Sequence, residues 1–134
     1  MNLPAGYKTL AGISSAEDLN GPFYYSKQTG ELKFGFFASQ NNCNGLGTVH
    51  GGVLMMFADY VATMSALAGV KENCSTISIS TNFIASAQEG DWIEGRCDVL
   101  ERTGKMTFVH GSLMVGDTLI LSFQAILRRI QSKA

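Results

Sequence analysis

Eighteen consecutive residues, Val53 to Val70, are almost wholly apolar, and apart from Tyr60 the only ionisable side chain among them is Asp59. A segment of that length and composition either spans a bilayer or is wrapped by the rest of its own chain. Spanning would put Asp59 near the bilayer centre, at roughly 3 kcal/mol or more. The remaining sequence reads as strands of one water-facing sheet, so no membrane partner is expected. The stretch instead predicts a buried helix from about Val53 to Ala68, with Gly69 as its C-terminal stop. Ala58, Ala62, Ser65, Ala66 and Gly69 recur at spacings of three and four. They predict a stripe that another backbone can approach closely. Leu54, Phe57, Val61, Met64 and Leu67 supply bulk on the other faces.

The segments around this helix have strand character. Phe23–Ser26 and Leu32–Phe37 read as a hairpin turning at Thr29-Gly30. Beyond the helix, Thr76–Phe83 alternates in polarity, and Trp92–Arg102, Met106–Val115 and Thr118–Ile130 are long strands. They are separated by Glu89-Gly90-Asp91, Thr103-Gly104-Lys105 and Gly116-Asp117. The pattern is two strands, one buried helix and a four-stranded meander. Residues 1–20 are weakly periodic; a short helix around Ser15–Leu19 is expected, capped by Ser15 with Asp18 three residues on. The whole of 1–134 reads as one domain, and 1–20 as an N-terminal extension without an assigned role.

Composition narrows the function classes. A formal charge of −1 offers no bulk attraction for nucleic acid. Cys43, Cys74 and Cys97 are odd in number and lack metal-ligand spacing, so neither a disulfide scaffold nor a metal site is expected. The start, MNLPAGYK, lacks a basic and apolar leader pattern, and a reducing cytoplasm is the expected location.

The helix is preceded by Asn44-Gly-Leu-Gly-Thr-Val-His50-Gly51-Gly52. Opening amides of a helix lack intrahelical partners and carry the positive end of its dipole. Glycine there lets a ligand atom come close to the backbone, which suits a carbonyl oxygen gaining negative charge. Gly51 and Gly52 are therefore candidates, although a paired glycine is also an ordinary turn. Asp59 reads as a general base on water, a direct nucleophile, or a buried carboxylate tied to a partner elsewhere.

Eight residues at 1.5 Å each separate Gly51 and Asp59 by about 12 Å along one helix. One reacting carbonyl cannot touch both. If both act on the same substrate they come from different chains, which predicts an obligate homodimer with two equivalent sites.

Other candidates are weaker. His50 reads as a base, a donor to a leaving group, or a structural loop residue. Asn44 can orient the loop or hold a water, and the Thr76 hydroxyl can share a water with Asp59. Met55 and Phe83 are candidates for the pocket wall, with Met56 and Phe108. Arg102 and Lys105 flank a turn and can meet phosphates or simply be solvated, as can Arg128, Arg129 and Lys133. Cys43 and His110 read as spectators.

The pattern Asn44-x-x-Gly47-x-x-His50-Gly51-Gly52, with an acid seven residues beyond, resembles the hotdog-fold acyl-CoA thioesterases. The resemblance is to the phenylacetate-pathway branch of the 4-hydroxybenzoyl-CoA thioesterase superfamily, and it covers roughly residues 30 to 130. It implies an α+β hotdog: a curved antiparallel sheet of about six strands around one long helix, paired into dimers and often into dimers of dimers. It implies hydrolysis of an aromatic or medium-chain acyl-CoA to the acid and free CoA, without metal or cofactor. The Gly51 amide would polarise the carbonyl, and Asp59 of the other chain would activate water or attack. Asn44 and His50 would lie near the thioester, and Thr76 beside the acid. Two other readings share this pocket: a non-catalytic acyl-thioester binding module, and a hydratase or dehydratase pairing His50 with Asp59.

Overall fold

Helix α2, Gly51–Leu67, lies in the hollow of a seven-stranded antiparallel sheet. The computed structural model describes residues 2–9, 12 and 14–131. In chain order the other elements are β1 (Lys8–Thr9), α1 (Ser15–Asn20), β2 (Tyr24–Ser26), β3 (Lys33–Phe37), β4 (Glu72–Phe83), β5 (Trp92–Arg102), β6 (Met106–Val115) and β7 (Thr118–Gln131). The helix begins two residues before the expected Val53, because His50 caps it and leaves both glycines inside its first turn. It ends as expected: Ala68 is extended and Gly69 takes a φ of +78°.

The sheet has seven strands where about six were expected, the two-residue β1 pairing with β2, Lys8 opposite Tyr25. One expectation about the sheet is corrected: the last four strands are not a simple meander. The order is β1-β2-β3-β5-β6-β7-β4, so β4 crosses the sheet to pair with β7, and β5 pairs with β3 instead. Strand order is a long-range property that local alternation does not encode. In α1, Ser14 rather than Ser15 takes the N-cap position, without a side-chain bond, and Asp18 accepts from the Gly12 N–H at 2.7 Å.

The small-residue stripe also serves a different purpose. Ala58, Ala62, Ser65 and Ala66 are buried within this one chain, where α2 meets β4, β5, β6 and β7. Small side chains on the helix let it sit close to its own sheet, and Gly95 of β5 completes the fit. A Cβ at Gly95 would stand 2.6 Å from Val61 Cγ2, so a larger residue would lift the helix. The stripe left half-exposed runs through Met55, Met56, Asp59 and Thr63.

At one side of α2, Phe23, Phe36, Phe57 and Tyr60 form an aromatic cluster, with the Phe23 centroid 4.9 Å from Phe57 and 5.2 Å from Tyr60. Phe57 is fully buried, and truncating such a ring to alanine costs about 3–5 kcal/mol. Where β4 begins, Arg129 of β7 makes a paired contact with Glu72, both nitrogens at 2.9 Å from a carboxylate oxygen. This pins the start of β4 to the end of β7.

A bulge in β4 positions the site. Its pairing with β7 slips between Thr76 and Ser78, leaving Ile77 outside the ladder and more than half exposed. An extra residue reverses the facing of everything beyond it. Thus Cys74 and Thr76 are partly covered on one side of the bulge, and Ile79 and Thr81 on the other.

Candidate active site

The loop before α2 is built by its own polar side chains. Asn44 Nδ2 donates to Thr48 Oγ1 at 2.8 Å, while Asn44 Oδ1 accepts from the Leu46 and Thr48 N–H groups. Asn42 is fully buried. It accepts from the Ser39 N–H and donates to the Asn20 carbonyl at 2.7 Å, tying α1 to this loop. The His50 N–H donates to the Asn42 carbonyl, which sets the entry to the helix. Asn44 is thus a loop-shaping residue, and the buried Asn42 two positions earlier escaped sequence reading because the carbonyl it donates to, that of Asn20, lies 22 residues away.

His50 Nδ1 accepts from the Gly52 N–H at 2.8 Å. A ring nitrogen that accepts carries no proton, so the neutral imidazole holds its hydrogen on Nε2. His50 is therefore a helix cap with an Nε2–H left to donate. A Cβ at Gly52 would stand 3.0 Å from that Nδ1, so glycine is what lets the ring close over the helix end. With the Gly52 amide taken by His50, no acceptor among the described residues meets the Gly51 N–H. It points outward at the positive tip of the helix. The Phe83 ring lies 3.2 Å from where a Gly51 Cβ would stand. Both line an open cleft of about 240 Å³, with Val49, Leu54 and Ala85 among its walls.

Two turns along α2, Asp59 is half-exposed on the side of the helix that the sheet leaves open. Thr76 of β4 donates its hydroxyl hydrogen to Asp59 Oδ1 at 2.6 Å. A bond to a carboxylate this short is among the stronger kinds, and it fixes the acid's rotamer while leaving Oδ2 unengaged by the described residues. Two further groups stand close. Burial, and then the Asp59 charge, push the Cys74 thiol up, so it is not an activated nucleophile. The same two causes, in the same order, raise the Glu17 carboxyl of α1. Glu17 also helps push the neighbouring Tyr60 hydroxyl up to about 12, burial being the larger cause. Nothing in the spacing of residues 1–20 announces that α1 brings Glu17 within electrostatic reach of Asp59 and Tyr60.

The remaining candidates fall elsewhere. Met55 is half-exposed on α2, one turn before Asp59. Arg102 Nη2 donates to the Ala66 carbonyl at 2.8 Å, which directs its head to the C-terminal end of α2. Lys105 is exposed in the β5–β6 turn. Among the described residues no group of three His, Cys, Asp or Glu can hold a metal ion, and no helix is long and apolar enough to cross a membrane.

Comparison with known proteins assigns this arrangement to a family. Residues 46–121, from the Asn44 loop through β4 to β7, match the thioesterase superfamily. The chain belongs to the thioesterase superfamily. PA0474 of Pseudomonas aeruginosa, a protein with a provisional esterase name, is 31% identical over 130 residues, 94% of this chain and 96% of its own. A Ralstonia eutropha protein with a provisional thioesterase name, described as phenylacetic acid degradation-related, superposes with a TM-score of 0.70 at 24% identity, over 96% of this chain and 92% of that one. A hypothetical thioesterase of Streptococcus pneumoniae, crystallised with coenzyme A, superposes with a TM-score of 0.75 at 10% identity, over 84% and 91%. The sheet wrapped around one long helix is the hotdog fold of these thioesterases, and this superfamily member is a thioester hydrolase.

Proposed function

We propose that this thioesterase hydrolyses an acyl-CoA to the carboxylic acid and free CoA, at sites that two copies of the chain build together. The observation that carries the reading is the pairing of a free amide at a helix tip with a held carboxylate about 12 Å further along the same helix. That separation is too great for one carbonyl, but it suits two antiparallel copies of α2, each offering its Gly51 beside the other's Asp59. The half-exposed stripe through Met55, Asp59 and Thr63 supports such a contact. So does β4, a twelve-residue edge strand with one side of its ladder unpaired and Ile77, Phe83 and Ile84 exposed on or beside it. A long edge presents a row of unpaired N–H and C=O groups, a template on which another chain can pair. The coenzyme A in the Streptococcus pneumoniae neighbour favours a CoA thioester over other thioesters.

In this scheme the Gly51 N–H of one copy binds the thioester oxygen as it gains charge. Asp59 of the other, held by Thr76, takes a proton from the attacking water or attacks directly. The His50 Nε2–H stands ready to donate to the departing sulfur.

The test is thiol release from a panel of aromatic and medium-chain acyl-CoAs. Asp59→Asn should lower kcat by about 10²–10⁴-fold, the worth of a positioned base. Gly51→Pro removes the N–H yet suits the first helical position, so it should lose about 10²–10³-fold while staying helical. Refolding the two inactive variants together should restore about a quarter of wild-type activity, since half of random dimers are mixed and each holds one intact site of two. No recovery in the mixture would exclude the shared site, and no thiol release from any thioester would exclude the activity.

A further inference from the structure

Asn42 is 1% exposed and makes five hydrogen bonds. Its Oδ1 accepts from the Ser39 N–H at 2.8 Å and from Ser39 Oγ at 3.0 Å. Its Nδ2 donates to the carbonyl of Asn20, the last residue of α1. The backbone N–H donates to the Ser39 carbonyl at 3.0 Å, and the backbone carbonyl accepts from the His50 N–H at 2.8 Å. A buried amide is costly unless its polar atoms are paired. Here the pairing joins three segments: the end of α1, the turn after β3, and the cap of α2. Asn42 lies outside the residues 46–121 that match the family.

Two tethers set where α2 begins. One is the Asn42 carbonyl on the His50 N–H. The other is the Val49 N–H on the Ala87 carbonyl, at 2.9 Å. Residues 44–47 are exposed, and their hydrogen bonds run within the loop, so they add little hold on the helix tip. With the Val49 tether alone the chain still reaches α2. His50 can then pivot, and the Gly51 N–H, one peptide further on, turns with it. A donor acts on a developing oxyanion only at about 2.7–3.1 Å. A misplacement of about 1 Å can cost about 10²-fold in rate.

We infer that Asn42 is a positioning residue for the hydrolysis: its buried side chain fixes the carbonyl that holds His50, and so aims the Gly51 N–H and the His50 ring of its own copy. The inference rests on the hydrolase reading above and adds a residue to that same site. It assigns Asn42 to the half of each site that supplies the helix tip, and not to the half that supplies Asp59.

The experiment uses Asn42→Ala and Asn42→Ser, two substitutions so that one failing to fold does not decide the matter, with circular dichroism reporting the fold. Each should lower kcat for thiol release by about 10–100-fold with little change in KM. The ring nitrogens of His50, read by NMR, should shift from the Nε2–H tautomer toward a mixture. Mixed dimers then locate the effect. In a dimer of Asp59→Asn with Gly51→Pro, the intact site takes its helix tip from the Asp59→Asn copy. Adding Asn42→Ala to that copy should remove most of the recovered activity. Adding it to the Gly51→Pro copy should leave the recovery in place, since that copy's tip is already inactive. Equal losses in the two mixtures, or an unchanged kcat or His50 tautomer in a folded variant, would overturn the inference and leave the hydrolase reading standing. Inertness of the wild type toward every thioester would overturn both.

Discussion

The Thr76 hydroxyl donates to Asp59 Oδ1 across 2.6 Å, joining the middle of the central helix to an edge strand seventeen residues further on. The bulge of β4 at Ile77 then lets Ile79 face the same side as Thr76. A hydrogen bond to a charged group contributes about 1.5–3 kcal/mol, and here it holds one rotamer of the acid. Thr76→Val should therefore lower kcat by about 10–100-fold with little change in KM, whereas Thr76→Ser should keep most of the activity. Steady-state thiol release distinguishes the two. Equal activity of the valine variant would mean that the bond only packs the strand.

The second glycine of the helix tip is a test of the His50 cap. Alanine is ordinarily favoured over glycine in a helix by about 1 kcal/mol, so Gly52→Ala would be expected to stabilise an isolated helix. Here its Cβ would stand 3.0 Å from His50 Nδ1, so the ring must give by a few tenths of an ångström and its 2.8 Å contact with the Gly52 amide is strained. Losing a cap costs about 1 kcal/mol. The variant should melt no higher than wild type, and its thiol release should fall because the displaced ring no longer aims Nε2–H. A clear rise in melting temperature would show that the cap contributes little.

Glu17 gives a pH signature to the N-terminal helix. Burial, and then the neighbouring Asp59, hold its carboxyl above the usual value of about 4.3. A raised folded value means that stability is fully present below the unfolded value and declines as pH rises through the folded one. At pH 7 the ionised Glu17 therefore opposes folding. Glu17→Gln should melt higher than wild type at neutral pH, and the two curves should converge as the pH is lowered toward 4. Melting temperatures across that range read the difference directly.

Glu72 carries the opposite sign. Its hydrogen bonds with Arg129 hold the carboxyl below the usual range. Stability from this pair is present above the unfolded value and lost as pH falls through the lowered folded one. Glu72→Gln should melt lower than wild type at pH 7, and the gap should close in acid.

What the sequence reveals depends on the range of the interaction. The central helix, its stop at Gly69, the spans of β5 to β7 and the placing of Asp59 near the helix middle are written in short-range periodicity and turn chemistry, and the structure has them. The side-by-side order of the strands is not, because β4 has the same local pattern whether it pairs with β5 or with β7. The stripe of Ala58, Ala62, Ser65 and Ala66 shows the same ambiguity. Small residues signal a close approach without naming what approaches, and here it is the chain's own sheet. At the helix tip, composition marked His50, Gly51 and Gly52 as a group. Their division of labour, with one amide capped and its neighbour left free, needed the 2.8 Å contact to be seen. Arg102 looked like a cation for a ligand, but the carbonyl it serves lies 36 residues away.

The helix α1, tied down by Asn42, rests against the functional part of α2 although it lies outside the matched residues 46–121. A charge placed on α1 is therefore felt at Asp59 without any change in α2 itself.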